Sequence, residues 1–310
     1  MITYTDTDSQ AVSSSLGLQT IRCALVSATQ RLQAAGIDSA RLDAEVLMCH
    51  ALQVKKSHVY GSLDEQLELT ARHRFGDFLN RRLRREPVAY ITRRQEFWSL
   101  DFMVTPDVLI PRPETERLVE ISLQCAGAFA PDLQLRILDI GTGSGALAVT
   151  LAKELPRAQV VATDISPASL EIARHNAARH QVADRIQFRA SNLFDLIREG
   201  EFHLIVTNPP YIESEELAAL APEVSKWEPR LALDGGHDGL NCYRGIVAQG
   251  FRHLLPGGAL IMEIGAVMAR AVGELLSDAG KYTPSRVYQD YGGKDRVIVA
   301  HLLAASPNFA

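Results

Sequence analysis

A short apolar run, Leu135-Arg-Ile-Leu-Asp139-Ile, leads into Gly141-Thr142-Gly143-Ser144-Gly145 and then into an apolar helical stretch from Ala146 to Leu155. No other segment restricts the fold as strongly. A strand, a glycine turn and a helix in that order open a parallel α/β sheet with helices on its faces. Glycines at alternate positions let the backbone approach a ligand closely. The helix N-terminus behind them presents N–H groups to a carboxylate or other anion. The spacing is Gly-x-Gly-x-Gly after Asp139 and differs from the Gly-x-Gly-x-x-Gly of a dinucleotide fingerprint.

The following elements keep the α/β rhythm. Gln159-Val-Val-Ala-Thr-Asp164 reads as the second strand. It ends on an acid, where a carboxylate at the carboxyl edge of a parallel sheet can accept both hydroxyls of a ribose. Ser166-Pro167 then starts a helix over Ala168 to Arg179, with serine as cap and proline in the first turn. A third strand, Ile186 to Ala190, is followed by Asn192 and Leu193. Those two are candidate contacts for an adenine, the amide reading its amino group and the leucine covering its ring.

The run His203-Leu-Ile-Val-Thr207 closes with Asn208-Pro209-Pro210-Tyr211. Asparagine offers a side-chain carbonyl, and the proline carbonyl is a free acceptor in a turn whose φ angles are locked. Two acceptors converging on one –NH₂ group, with the Tyr211 ring over its flat face, would hold a planar amide or amine.

Taken together, the Asp139 to Gly145 loop, Asp164 and Asn208-Pro-Pro-Tyr211 resemble a class I S-adenosylmethionine-dependent methyltransferase of the branch that modifies amino groups. Three further segments narrow the resemblance: Pro87-Val-Ala-Tyr-Ile91, Gln95 to Phe102, and Leu109-Ile-Pro-Arg-Pro-Glu-Thr-Glu116. With Trp227 to Gly236, Asp238-Gly-Leu240 and Tyr243-Arg244, they resemble the HemK/PrmC family, the N5-glutamine methyltransferases of peptide chain release factors. The likeness runs over roughly residues 18–302.

The resemblance implies a seven-stranded, mostly parallel, doubly wound sheet with a small N-terminal helical domain. It implies S-adenosylmethionine as methyl donor, leaving as S-adenosylhomocysteine, and class I release factors as protein substrates, methylated on the glutamine of their Gly-Gly-Gln motif. Gly141, Thr142, Gly143, Ser144, Gly145, Asp164, Asn192, Leu193 and Asn208 are then the expected cofactor contacts. Asn208, Pro209, Pro210 and Tyr211 are the expected substrate contacts, with Asn208, Pro209 and Tyr211 catalytic. Most relatives carry an aspartate where Asn192 stands and a glycine where Arg93 stands. Glu114 and Glu116 either line the methionine end of the cofactor or only begin a helix, where acids suit the macrodipole. The competing readings are a ribosomal-protein glutamine methyltransferase and an adenine-N6 nucleic acid methyltransferase.

Composition agrees with a globular enzyme. The chain has 310 residues, 46% hydrophobic and 22% charged, and a net charge of −5 that speaks against a primary grip on nucleic acid phosphates. Cys23, Cys49, Cys125 and Cys242 form no Cys-x-x-Cys pair, so neither a disulfide framework nor a metal site is expected, and a reducing cytoplasm is. No apolar run is long enough for a membrane span. A monomer is expected.

By layout, residues 1–17 are a polar, flexible tail without signal-peptide character. Residues 18–86 form a helical substrate-recognition domain with apolar faces at Ile21-Leu25-Leu32, at Leu42-Val46-Leu47, and from Leu67 to Leu83. Within it, Arg81-Arg82-x-Arg84-Arg85 reads as a solvated helix face, the alternative being a contact for an acidic partner or ribosomal RNA. Residues 87–110 read as a hairpin linker and residues 111–310 as the methyltransferase domain. The polar segment 213–238 is extra to the α/β pattern and could cover a substrate. Tyr282 to Tyr288 and Arg296 to His301 are expected to close the sheet as an antiparallel pair.

Overall fold

Small side chains at helical spacing shape the N-terminal part of the chain. The computed structural model describes residues 20–303; the tail assigned to residues 1–17 lies outside them. The Thr20 hydroxyl accepts from the Cys23 N–H at 3.2 Å and caps α1 (Ile21–Ala34), satisfying a donor that a helix start leaves open. Ile21, Ala24, Ala28 and Leu32 form its buried stripe. In α2 (Ala40–Leu52) the buried face is Ala40, Ala44, Leu47 and Met48. Leu42 and Val46, expected on that face, are 56% and 37% exposed; the alanines give the close approach to neighbouring helices instead.

After α3 (Lys56–Gly61), α4 (Leu69–Leu83) adds Phe75 and Leu79 to the same core. The arginine run at its end is only partly a solvated face, with Arg84 exposed. Arg82 is buried and donates to Asp43 at 2.6 Å. Arg81 pairs with Glu86 at 2.5 Å, and Arg85 donates to the Gly36 carbonyl at 2.8 Å. Arg82 thereby ties α4 to α2, Arg85 ties the end of α4 to the turn after α1, and Arg81 closes on its own segment. A charge run read without its partners looks solvated, although arginine can be buried once its fork is filled.

The chain divides into two compact units, the first ending at Thr92 and the second beginning at Arg93. Within the span read as a hairpin linker, Val88–Thr92 form a short helix, α5, whose Ile91 enters the first unit's core. The antiparallel pair β1 (Arg94–Phe97) and β2 (Leu100–Met103) follows in the second unit. Its two-residue turn, Trp98 and Ser99, has both φ angles positive, 54° and 55°, which matches the twist of a tight hairpin. Arg93 itself sits at φ 57°, so an arginine adopts the left-handed conformation that glycine favours.

A single 3₁₀ turn, Pro113–Thr115, starts α6 (Glu116–Ala126). The α/β succession is then β3 (Arg136–Ile140), α7 (Ala146–Glu154), β4 (Gln159–Asp164), α8 (Pro167–Arg179), β5 (Ile186–Ala190) and β6 (Phe202–Thr207). A one-turn helix, α9 (Pro222–Ser225), lies in the polar segment. It is followed by α10 (Asn241–His253), β7 (Leu254–Glu263), α11 (Ala269–Asp278), β8 (Arg286–Gln289) and β9 (Asp295–His301).

The seven-stranded sheet has the order β5-β4-β3-β6-β7-β9-β8. β3 to β7 run parallel, and β9 pairs antiparallel with both β7 and β8. Alternate residues of each strand serve opposite faces. Ile137, Leu204 and Ile261 pack with α6 and α7, whereas Leu138, Ile205 and Leu260 pack with α10 and α11. The chain leaves β3 toward β4 on one side and returns to place β6 on the other. This reversal opens a crevice outside the carboxyl ends of the two central strands.

Candidate active site

A cavity of about 250 Å³ occupies that crevice. Four strand ends supply its wall: Gly141 to Ser144 after β3, Asp164 at the end of β4, Asn192 and Leu193 after β5, and Asn208 to Pro210 after β6. Gly141 and Gly143 adopt φ of 71° and 54°, a conformation that costs a residue with a Cβ roughly 1–2 kcal/mol. Asp139, fully buried beneath the loop, ties it down. One carboxyl oxygen accepts from the Thr142 hydroxyl at 2.6 Å and the Ala148 N–H at 3.2 Å. Burial pushes this carboxyl up to about 7, against the pull of those two donors.

The loop's donors are therefore not all open to a ligand. The Gly143 N–H donates to Asp164 at 2.9 Å, and Ala148 serves Asp139 as described. Asp164 also accepts from the Ser166 N–H at 2.9 Å. Burial raises its pKa while these N–H groups lower it. Each of its oxygens retains a lone pair for a further donor. Asn176 of α8 holds the loop from outside, donating to the Ser144 carbonyl at 2.8 Å and to the Met103 carbonyl at 3.0 Å.

Two expected contacts lie outside the cavity wall. Gly145 faces α8, where a Cβ would come within 3.1 Å of the Ala173 Cβ, so its lack of a side chain serves helix packing. Tyr211 is half-buried against the cluster around α10 and α11. Its neighbours are glycines: a Cβ on Gly239 would meet the Tyr211 carbonyl at 2.5 Å, and one on Gly265 would meet its ring at 3.4 Å. Asn192 is exposed at the rim. Leu193 takes φ 49° and seats against α10 at Gly245, where a Cβ would lie 2.5 Å from its Cδ1.

Asn208 is oriented by a residue that sequence reasoning missed. Its Nδ2 donates to the Thr115 hydroxyl at 3.2 Å, and Thr115 also lines the cavity. Arg112 and Glu228 were missed as well. Glu228, buried within segment 213–238, pairs with Arg112 and accepts from the Ile110 N–H at 3.2 Å. Pro229, Leu231 and Ala232 are thereby held as one wall of the cavity. The Ile-Pro-Arg-Pro and Trp-Glu-Pro segments thus meet in space, a contact of more than a hundred positions that no local pattern signals. Glu114 and Glu116 do not line the cavity. Glu116 instead accepts from the Trp98 N–H at 2.8 Å, in a separate hollow with Glu96 and Glu154.

Both the fold and the sequence have known counterparts. The family described as the PrmC N-terminal domain matches residues 24–92, and that described as the methyltransferase small domain matches residues 125–224. Among solved structures, the catalytic domain of hMettl16 in complex with the MAT2A 3'UTR hairpin 6 shares the fold. Its TM-score is 0.54 at 16% identity, covering 69% of this chain and 79% of that one. Sequence relatives are far nearer. The release factor glutamine methyltransferase of Cereibacter sphaeroides is 46% identical over 91% of this chain and 98% of its own length. That of Moorella thermoacetica is 43% identical over 91% and 98%, and that of Vibrio cholerae 42% over 90% and 95%. Identity at this level, over nearly the whole of both chains and across the helical and the sheet-bearing parts alike, makes the chain a member of the release factor glutamine methyltransferase family.

Proposed function

We infer that this chain transfers a methyl group from S-adenosylmethionine to the side-chain nitrogen, N5, of the glutamine in the Gly-Gly-Gln motif of class I release factors. The observation that carries the reading is Asn208, fixed by Thr115 in the same cavity wall as the glycine loop and Asp164. A planar amide group could thus be held close to the cofactor.

The cavity suits the cofactor chemically. Gly141 and Gly143 expose backbone without a Cβ, Asp164 has lone pairs for ribose hydroxyls, and Asn192 with Leu193 offers a polar edge and an apolar face for adenine. When bound, S-adenosylmethionine supplies a methyl carbon on a sulfonium, open to in-line displacement. Asn208 Oδ1 and the Pro209 carbonyl accept the two amide hydrogens of the substrate. A glutamine nitrogen is a poor nucleophile because its lone pair is delocalised into the carbonyl. Holding both hydrogens sets the nitrogen in the attacking geometry, and positioning of this kind can remove ~7–11 kcal/mol of barrier. The same two bonds strengthen as the nitrogen becomes positive. Tyr211 packs beside this turn and stiffens it.

We assign the enzyme to the cytoplasm as a monomer without a nucleic acid requirement, in keeping with its net charge of −5. Among the described residues no helix is long and apolar enough to cross a membrane. The direct test is mass spectrometry of release factors from cells with and without this chain. One added methyl on the motif glutamine is expected only with it, and its presence in both would refute the assignment.

Two further outcomes follow from these roles. Asp164→Ala is expected to weaken S-adenosylmethionine binding by more than ~1.5 kcal/mol, since a hydrogen bond to a charged group contributes about 1.5–3. Unchanged affinity by calorimetry would remove Asp164 from the cofactor site. The helical unit is assigned to recognition of the factor's surface, because one amide offers too little area for selectivity. A short Gly-Gly-Gln peptide should therefore be a poor substrate beside the intact factor, and equal kcat/KM for the two would refute that role.

A further inference from the structure

A glutamine side chain spans only about 5 Å from its Cα to its amide nitrogen at ordinary bond lengths. With that nitrogen held at Asn208 and Pro209, the residues on either side of the glutamine lie against whatever surrounds the cavity mouth. Two apolar side chains stand there, turned to solvent: Leu231 is 58% exposed and Val267 93%. Leu231 belongs to the cavity wall and sits in a single 3₁₀ turn, Arg230–Ala232. The stretch behind it is hydrogen-bonded along the residue after Tyr211. The Ile212 N–H donates to the Leu233 carbonyl at 3.0 Å, and the Gly235 N–H donates to the Ile212 carbonyl at 2.8 Å. Val267 approaches the same turn from another strand. β6 and β7 run parallel with Thr207 beside Met262, so Asn208 to Tyr211 and Ile264 to Val267 leave the sheet at one edge. The turn that carries Val267 is closed by the Met268 N–H on the Gly265 carbonyl at 3.0 Å. It packs on Tyr211, whose ring a Cβ on Gly265 would meet at 3.4 Å.

A lone exposed leucine or valine is ordinary. These two differ in company and in support. They flank the Asn208 to Tyr211 turn from two separate segments, and the backbone beneath Leu231 is fixed on both sides of it. Glu228 pairs with Arg112 and accepts from the Ile110 N–H, while Asp234 accepts from the Ser214 hydroxyl at 2.6 Å and the Gly236 N–H at 3.0 Å. A side chain held out on fixed backbone gains contact without the ordering cost of a loose loop. Ile165, 51% exposed and also in the cavity wall, is accounted for differently, since it follows Asp164 on the side assigned to the cofactor.

We propose that Leu231 and Val267 form an apolar rim that seats the residues adjoining the motif glutamine of the release factor, an uncharged stretch of exposed loop, and so decide which polypeptides can place a glutamine at Asn208. The proposal rests on the glutamine reading above. It assigns selection close to the glutamine to this rim and leaves the remoter surface of the factor to the helical unit. A charged residue beside the glutamine would lose water against these side chains with no partner to replace it.

The experiment measures methylation of the intact factor, and of a short peptide carrying the motif with its neighbours, by wild type, Val267→Asp, Leu231→Asp, Val267→Leu and Leu303→Asp, with cofactor calorimetry on each. Leu303 is the control, 46% exposed beyond the amino end of β7 at the opposite edge of the sheet. Each rim aspartate should lower kcat/KM about tenfold for factor and peptide alike. With the factor the loss should lie in KM, with kcat within about threefold and cofactor affinity within about twofold of wild type. Val267→Leu should stay within about threefold in kcat/KM, and Leu303→Asp should match wild type. The proposal is overturned by a wild-type KM in Val267→Asp, by a Leu231→Asp loss that lies in cofactor affinity or kcat with KM unchanged, by a peptide that escapes the loss seen with the factor, or by an equal loss in Leu303→Asp. Val267 is almost wholly exposed, so its variant decides alone if Leu231→Asp does not fold. A wild type that methylates neither factor nor peptide would sink the glutamine reading and this proposal with it, whereas an active wild type with unaffected rim variants would sink only the latter.

Discussion

Replacing Asn208 by alanine is expected to lower turnover on the order of 100-fold, the scale seen when one preorganised hydrogen-bonding group is removed from a site of developing charge. The bond it makes to the substrate amide tightens as positive charge grows on nitrogen, so kcat should fall much more than KM rises. Cofactor affinity should change by less than turnover does, because Asp164 and the glycine loop are untouched. Tyr211 provides the companion test. Tyr211→Phe keeps the ring against Gly265 and should be mild. Tyr211→Ala empties that place and frees the Pro209-Pro210 turn, so its loss should approach that of Asn208→Ala. Single-turnover kinetics on folded, cofactor-binding variants would decide it, with near-normal turnover in Asn208→Ala excluding the amide clamp.

What could be read from the chain alone follows the range of the interactions involved. The glycine loop, Asp164 and the Asn-Pro-Pro-Tyr turn each announce themselves within a few residues, since they depend on backbone conformation and on the ends of apolar strands. β4 and β5 match the expected runs residue for residue. Thr115 and Glu228 were out of reach for the opposite reason. Each acquires its meaning from a partner far away in sequence, Thr115 with Asn208 and Glu228 with Arg112. The helical unit shows the same limit in its packing. Leu42 and Val46 carry the apolar signal of α2, yet Ala40 and Ala44 make its contacts, because close helix approach selects small residues over large ones. Gly145 belongs to the loop by pattern and to the packing of α7 on α8 by geometry.

The arginine run holds the second large effect, on stability. Arg82 and Asp43 are 5% and 6% exposed and 2.6 Å apart. Removing one member of a buried ion pair takes from the other charge its main counter-charge and typically costs about 3–5 kcal/mol. Small units commonly have only roughly 5 kcal/mol of stability in hand, so Asp43→Ala should bring the first unit to the edge of unfolding. Denaturant titration followed by circular dichroism would register it as an early helical transition. Replacing both members with apolar residues of similar volume, Asp43→Leu with Arg82→Met, should recover much of the loss, because no charge then remains to be solvated. The cofactor cavity is walled entirely by residues beyond Arg93, so S-adenosylmethionine binding should survive Asp43→Ala. Methylation of the intact release factor should fall with the helical unit, while the slow methylation of a short peptide persists. If factor and peptide turnover fell together, or if neither changed in a variant with a melted first unit, recognition would not reside in those helices.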